Sequence, residues 1–312
     1  MHGAIDGKPA LLIIERAPFP ESHEYLGSVV ASLARLRNLG ANDVYNWYMA
    51  RSGGGDNEDS INKNGGDFFA DLKINLIYPC TETHIKKYSK QGVRFVEETP
   101  AIYKDKIWPY MRAKREQGRL NWVFNILDGK TEVEDVIYRT EPWGHEENRE
   151  GFLMLPDLNW DRTTLEALHL LALVERRDLW SLRDLKRGHV EWLRHMKERL
   201  LAATVATYPT VERDQLKLYV HYQPTYYHLH IHIVHVALEA GATQATGKAI
   251  GLDSVIETLA AMRPRPVQGG KDEEEDEAGM ADLTMFYTLG EASELWSEVF
   301  GPLKRERASQ LQ

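Results

Sequence analysis

Residues 228–233 read His-Leu-His-Ile-His-Ile, with imidazole at every even position and an aliphatic side chain at every odd one. In a β-strand successive side chains alternate faces, so His228, His230 and His232 project from one side and Leu229, Ile231 and Ile233 from the other. On a helix the same histidines would fan out by about 100° per residue and share no face. The segment is therefore expected as a strand, apolar behind and imidazole in front. His235 has the opposite parity and is expected on the apolar side as a structural residue. Residues 216–222 and 227–237 are expected as adjacent strands separated by Pro224-Thr225, which places His221 close enough to join the cluster.

Three imidazoles on one face would be costly to leave without partners. Two chemistries use such a set. Three histidines and a water form a catalytic zinc site. Alternatively, a neutral imidazole attacks phosphorus while its neighbours donate hydrogen bonds to phosphate oxygens. The spacing alone leaves both open.

The rest of the chain sets the frame. Its 312 residues suffice for two domains, and a hydrophobic content of 43% supports a real core. Strands are expected at 10–15, 72–78, 121–127, 133–138, 151–155 and 283–288. Helices are expected at 22–39, 81–90, 162–174, 187–205, 252–262 and 291–300, and a loop at Arg51–Gly66. Paired strands with intervening helices imply an α+β fold rather than a doubly wound parallel sheet. The single cysteine, Cys80, rules out an internal disulfide framework and fits a reducing compartment. No apolar run reaches the ~20 residues of a membrane span, and Met1–Gly7 does not read as a secretory signal. The net charge of −9 argues against coating long nucleic acid, although Lys271 and the six acids Asp272–Glu277 concentrate much of it in one segment. That segment is expected as a solvated insertion, 265–281.

The triad segment fits the histidine-triad signature, and its context narrows the match. Tyr219-Val-His-Tyr-Gln-Pro-Thr-Tyr-Tyr227 resembles the scavenger mRNA decapping enzymes, the DcpS family. So do Trp122-Val-Phe-Asn-Ile-Leu-Asp128, Gly151-Phe-Leu-Met-Leu-Pro-Asp-Leu-Asn-Trp160 and Ser181-Leu-Arg-Asp-Leu185. Asn42-Asp-Val-Tyr45 and Tyr78-Pro-Cys-Thr-Glu-Thr-His-Ile-Lys-Lys-Tyr88 match in the same order. The resemblance implies a smaller N-terminal α+β domain over 1–92, ending in a hinge helix at about 81–90. This domain is exchanged between protomers of a homodimer. A C-terminal histidine-triad domain of antiparallel sheet and helices would follow over 93–312. It further implies hydrolysis of m7GpppN or short capped oligonucleotides, left after 3′→5′ mRNA decay, to m7GMP and a nucleoside or oligonucleotide diphosphate. The reaction needs no cofactor or metal. The expected setting is the cytoplasm, with the nucleus open, no membrane, and the RNA-decay machinery as a further expected partner.

By the same resemblance His230 is the nucleophile, forming a covalent nucleotidyl-histidine, while His228, His232 and His221 bind phosphate oxygens or deliver a proton. Trp122 stacks on the cationic methylated base, Glu132 takes its N–H donors, and Pro156, Asp157 and Leu158 form a second wall. Thr225, a serine in the family, keeps the hydroxyl beside Tyr226. Lys248 stands for arginine and loses the bidentate fork, and Asn159 stands for lysine and lacks the cation. His84 and Lys87 match hinge residues, and Asn42 and Tyr45 a lid that closes over the cap and excludes longer RNA. The rivals are another histidine-triad nucleotide hydrolase, a non-catalytic cap-binding regulator and a zinc hydrolase.

Overall fold

A computed structural model of the chain describes residues 2–16, 22–32, 34–42, 45–51, 72–77, 82, 85, 91–143, 150–157, 160–263 and 277–310. The chain divides into two compact units, Met1–Lys90 and Gln91–Gln312. Helices and antiparallel strands occur in both, so the fold is α+β, as the element pattern implies. Among the described residues no helix is long and apolar enough to cross a membrane.

The first unit holds β1 (His2–Ile5), β2 (Lys8–Arg16), α1 (His23–Ser32), β3 (Ala34–Asn42), β4 (Tyr45–Arg51) and β5 (Leu72–Ile77). The sheet runs in the order β1-β2-β5, and β3 pairs separately with β4. The helix expected over 22–39 stops at Ser32, because Ala34–Asn42 pairs antiparallel with the aromatic strand Tyr45–Arg51. Leu33, Leu36 and Leu39 repeat every three residues and imitate a helix, but the ladder with β4 prevails over that local pattern. Arg51, expected to open a loop, is the last residue of β4, and residues 52–66 lie outside the described residues.

The second unit begins with β6 (Val93–Glu98), α2 (Trp108–Glu116) and α3 (Asn121–Leu127). Its main sheet comprises β7 (Tyr138–Arg139), β8 (Phe152–Pro156), β9 (His169–Val174), β10 (Leu216–His221), β11 (His230–His235) and β12 (Ala249–Gly251), in the order β12-β10-β11-β9-β8-β7. α4 (Val190–Thr207), α5 (Leu252–Ala261), β13 (Met285–Gly290) and α6 (Gly301–Gln310) complete it, and β13 pairs with β6.

Register explains the two faces of the sheet. Tyr219 and Leu171 flank His232 on neighbouring strands, and Leu155 lies opposite Leu171. One face therefore carries Leu153, Leu155, His169, Leu171, Leu173, Tyr219, His221, His230 and His232. The reverse face carries Phe152, Met154, Leu170, Ala172, Val174, Leu218, Val220, Ile231 and Ile233. These join a core with Leu193, Met196 and Leu200 of α4 and Val255, Ile256 and Leu259 of α5. The spacing of three and four along each helix is what an apolar stripe on this sheet requires.

Two expected elements change type. Residues 121–127, rich in β-forming side chains, are helical, because Val123, Ile126 and Leu127 at i, i+3 and i+4 bury against Leu153, Leu155 and Leu173. Residues 162–174, expected as a helix, give a short 3-10 turn at Leu165–Ala167 and then β9. A strand buried on both faces reads as a continuous apolar run, which periodicity alone does not separate from a buried helix. The expected strand at 133–138 is a 3-10 turn, Val133–Asp135, followed by the two residues of β7. The expected acidic insertion is packed at its far end: Gly279 bridges to Lys186, and Ala278 and Met280 are buried.

Behind the approach to β11 lies a buried polar network. Glu98 and Arg183, both fully buried, pair at 2.6 Å. The Glu98 carboxylate also accepts from the hydroxyls of Tyr222 and Tyr287 and from the Gln223 amide. Arg183 donates its other N–H groups to the Met280 and Leu283 carbonyls at 2.7 Å. This network anchors the Tyr222–Tyr227 segment that leads into the histidine strand.

Candidate active site

β11 starts at His230, so the strand presents two triad imidazoles rather than three. His230 and His232 have ring centroids 5.4 Å apart, and His221, from β10, lies 4.2 Å from His232. His228 precedes the strand. Its ring meets Phe124 edge-on and its Nε2–H donates to the Val174 carbonyl at 2.7 Å. What His228 supplies to the cluster is its main-chain carbonyl, which accepts from His230 Nδ1–H at 2.7 Å. That bond places the His230 proton on Nδ1 and leaves a lone pair on Nε2, the arrangement an attacking imidazole requires. Nothing in the residue pattern could identify this partner, because it is a backbone group. His221 Nε2–H likewise donates to the Thr243 carbonyl at 2.8 Å. His235 is buried, and its Nδ1 accepts from the Ala237 amide at 3.1 Å, a structural role as expected.

The cluster is electrically neutral. Burial, and then the nearby Lys248 ammonium, push His221 down to about 4. Burial pushes His228 down to about 4 and His230 to about 3, and it takes His232 well below its ordinary value, with His230 and His221 adding to the fall. In the unfolded chain these side chains titrate near ~6.5, so between the two values protons favour the unfolded state. Stability from this source is complete above about pH 6.5 and is lost as pH falls toward the folded values. The urea midpoint of the protein should therefore be flat from about pH 7 to 8 and fall already between about pH 6.5 and 5, above the ordinary carboxylate range. A midpoint constant down to about pH 5 would contradict the burial of neutral imidazoles.

Aromatic groups surround the nucleophile candidate. Tyr226 stacks on His230 at 4.3 Å and 20°, and Trp122, on α3 and 45% exposed, meets Tyr226 edge-on at 4.8 Å. Glu132 follows α3 with a left-handed backbone (φ 53°), uncommon outside glycine. Partial burial, then the Asp135 and Glu134 carboxylates, raise its carboxyl above the usual range. Pro156 ends β8, and Asp157 follows with its amide donating to the His169 carbonyl at 2.9 Å. Thr225 is exposed on the segment before the strand, and Lys248 Nζ donates to the Gln223 carbonyl. In the first unit Asn42 and Tyr45 are register partners of β3 and β4. Leu158, Asn159, His84 and Lys87 lie outside the described residues.

Two side chains of this face were not anticipated. Tyr219 stacks on His232 at 4.9 Å and 8°, and His169 Nε2 lies 2.9 Å from His232 Nδ1. His169 sits in the apolar run misread as a helix, and only its strand parity reveals it. Tyr226 Oη and His232 Nε2 are buried with no hydrogen-bond partner among the described residues. Buried polar atoms of this kind are open to a polar ligand or an ordered water. One nitrogen each of His221, His230 and His232 lie within 4.8 Å of one another, a donor set that could also take a cation.

The fold and site together define a class: an α+β protein with a buried cluster of neutral imidazoles on one face of an antiparallel sheet, beside an exposed tryptophan. The comparisons with known proteins are more specific. The family model described as scavenger mRNA decapping enzyme (DcpS) N-terminal matches residues 1–91, and that for the scavenger mRNA decapping enzyme C-term binding region matches 121–247. The chain is 36% identical to the m7GpppX diphosphatase of Schizosaccharomyces pombe over 259 residues, 83% of this chain and 80% of that protein. It is 36% identical to the Ascaris suum m7GpppX diphosphatase over 81% of this chain and 77% of that one. For the Homo sapiens m7GpppX diphosphatase the identity is 31%, over 83% and 72%. The chain belongs to the scavenger mRNA decapping enzyme (DcpS) family.

Proposed function

We propose that this protein hydrolyses m7GpppN and short capped oligonucleotides to m7GMP and a nucleoside or oligonucleotide diphosphate. The observation that carries the mechanism is the hydrogen bond from His230 Nδ1–H to the His228 carbonyl, which leaves Nε2 unprotonated. In the first step Nε2 attacks the phosphorus bearing 7-methylguanosine. The N–P bond forms as the P–O bond to the leaving diphosphate breaks. In the second, water attacks the same phosphorus, the N–P bond breaks, and m7GMP leaves. Neutral His221, His228 and His230 each give their single N–H to a main-chain carbonyl. His232 is therefore the imidazole of this cluster that supports donation to a phosphate oxygen, and being neutral it does not hold the anionic products by charge.

Trp122 is the stacking face for the cationic base, and Glu132, with Pro156 and Asp157, recognises its polar edge. Lys248 gives the phosphate side a point charge, and Thr225 a hydroxyl. Trp122→Ala should weaken m7GpppG binding by about 2- to 30-fold, the equivalent of ~0.5–2 kcal/mol, and affect unmethylated GpppG less. Fluorescence titration of both ligands checks this, and equal losses would remove the cation–π role. The reading also carries a homodimer with exchanged N-terminal domains and a cytoplasmic or nuclear setting beside the RNA-decay machinery.

The test is to incubate the purified protein with m7GpppG and identify the products by mass, expecting m7GMP and GDP. Hydrolysis of diadenosine tetraphosphate in preference to the cap would indicate another nucleotide hydrolase. Cap binding without cleavage would indicate a regulator, and activity abolished by chelation a zinc enzyme.

A further inference from the structure

The triad reading leaves one imidazole unexplained. His169, at the start of β9, is buried on the same sheet face as the cluster, and its Nε2 lies 2.9 Å from His232 Nδ1. The same Nε2 lies 3.7 Å from Asp157 Oδ2. Register holds the three together: the Asp157 amide donates to the His169 carbonyl, and β9 pairs with β11.

A single proton occupies the gap between the two imidazole nitrogens, and two charges decide which ring owns it. If His232 donated, His169 Nε2 would accept that bond and carry no proton to share with the Asp157 carboxylate, and the lone pair of His232 Nε2 would face an anionic substrate. If His169 donates, its N–H is shared toward the carboxylate and the remaining proton of His232 sits on Nε2. That Nε2 is buried with no partner among the described residues, while Tyr219 stacks parallel on the ring and fixes its plane.

We propose that His169, backed by Asp157, is a positioning residue that holds His232 in the tautomer whose Nε2–H donates to a phosphate oxygen of the substrate. This rests on the phosphorus chemistry proposed above. Opposite tautomers then sit two residues apart on one strand: His230 with its proton on Nδ1, to attack, and His232 with its proton on Nε2, to donate. The main chain sets the first and a buried side chain sets the second. Ligand histidines are oriented by a partner on their other ring nitrogen in the same manner, and loss of such partners costs about 10- to 100-fold.

Two measurements test this. Long-range proton–nitrogen NMR correlations of the wild-type protein at about pH 7 report which nitrogen of each neutral imidazole is protonated. Nε2–H at His232 with Nδ1–H at His230 is the expected result, and Nδ1–H at His232 would overturn the proposal whatever the activity. The second measurement compares His169→Leu with His169→Gln on m7GpppG. Glutamine places an amide donor near the position of Nε2, and leucine does not. With the donor lost, kcat should fall about 10-fold or more with KM changed less, and glutamine should recover most of it. Wild-type kcat in His169→Leu, or equal losses in both variants, would overturn the positioning role. If wild type itself fails to cleave m7GpppG, the decapping reading fails instead, and the NMR result still decides the tautomer. The same NMR result decides it should either variant not fold.

Discussion

His230→Asn should lower turnover of m7GpppG by on the order of 10³-fold or more while leaving 7-methylguanosine binding nearly unchanged. Asparagine is the informative substitution, because its amide nitrogen reaches roughly where Nδ1 sits. It can keep the bond to the His228 carbonyl, so the strand keeps that support, although the ring that Tyr226 stacks on is replaced by a smaller amide plane. The outer ring atoms are lost, and with Nε2 goes the lone pair that attacks phosphorus. Single-turnover kinetics with saturating enzyme checks the rate, and fluorescence titration checks the binding. A variant that still turned over within about tenfold of wild type would show that another group attacks.

Glu98→Ala should be the most damaging substitution away from the cluster. It removes the carboxylate that pairs with buried Arg183 and accepts from Tyr222, Gln223 and Tyr287. Breaking a buried pair by deleting one partner strands the other charge, at a cost of about 3–5 kcal/mol. For a domain of this size that corresponds to a fall in Tm of roughly 6–20 °C. Because the network anchors the Tyr222–Tyr227 segment, kcat should also fall at temperatures where the variant remains folded. Differential scanning calorimetry with activity measured in parallel checks both effects. A Tm within about 2 °C of wild type would contradict the structural weight assigned to this pair.

Where side chains alternated strictly, the sequence was legible. The apolar side held by Ile231 and Ile233 and the structural place of His235 follow from a period of two, and the approach of His221 from the pairing of adjacent strands, although the strand covers 230–235 rather than 227–237 and leaves His228 before it. The α3 and β9 segments were misread for one shared reason. Each is short and apolar, and its state is decided by what it packs against: α3 by Leu153 and Leu173, β9 by strands on both sides. Those neighbours are remote in sequence, and no local pattern announces them. The Glu98–Arg183 pair spans 85 positions and was invisible for the same reason. His169 was hidden by the misreading of its own strand. The tautomer of His230 depends on a main-chain carbonyl, which no choice of side chains encodes.

The central claim is that one nitrogen, Nε2 of His230, becomes bonded to phosphorus. It is tested by mixing enzyme with m7GpppG under single-turnover conditions, quenching in base to preserve N–P bonds, and mapping peptides by mass. The expected result is a transient adduct of one m7GMP unit on the peptide containing residue 230, at that histidine, decaying as free m7GMP appears. An adduct on a different histidine, or full conversion with inversion at phosphorus and no adduct at any time, would contradict it.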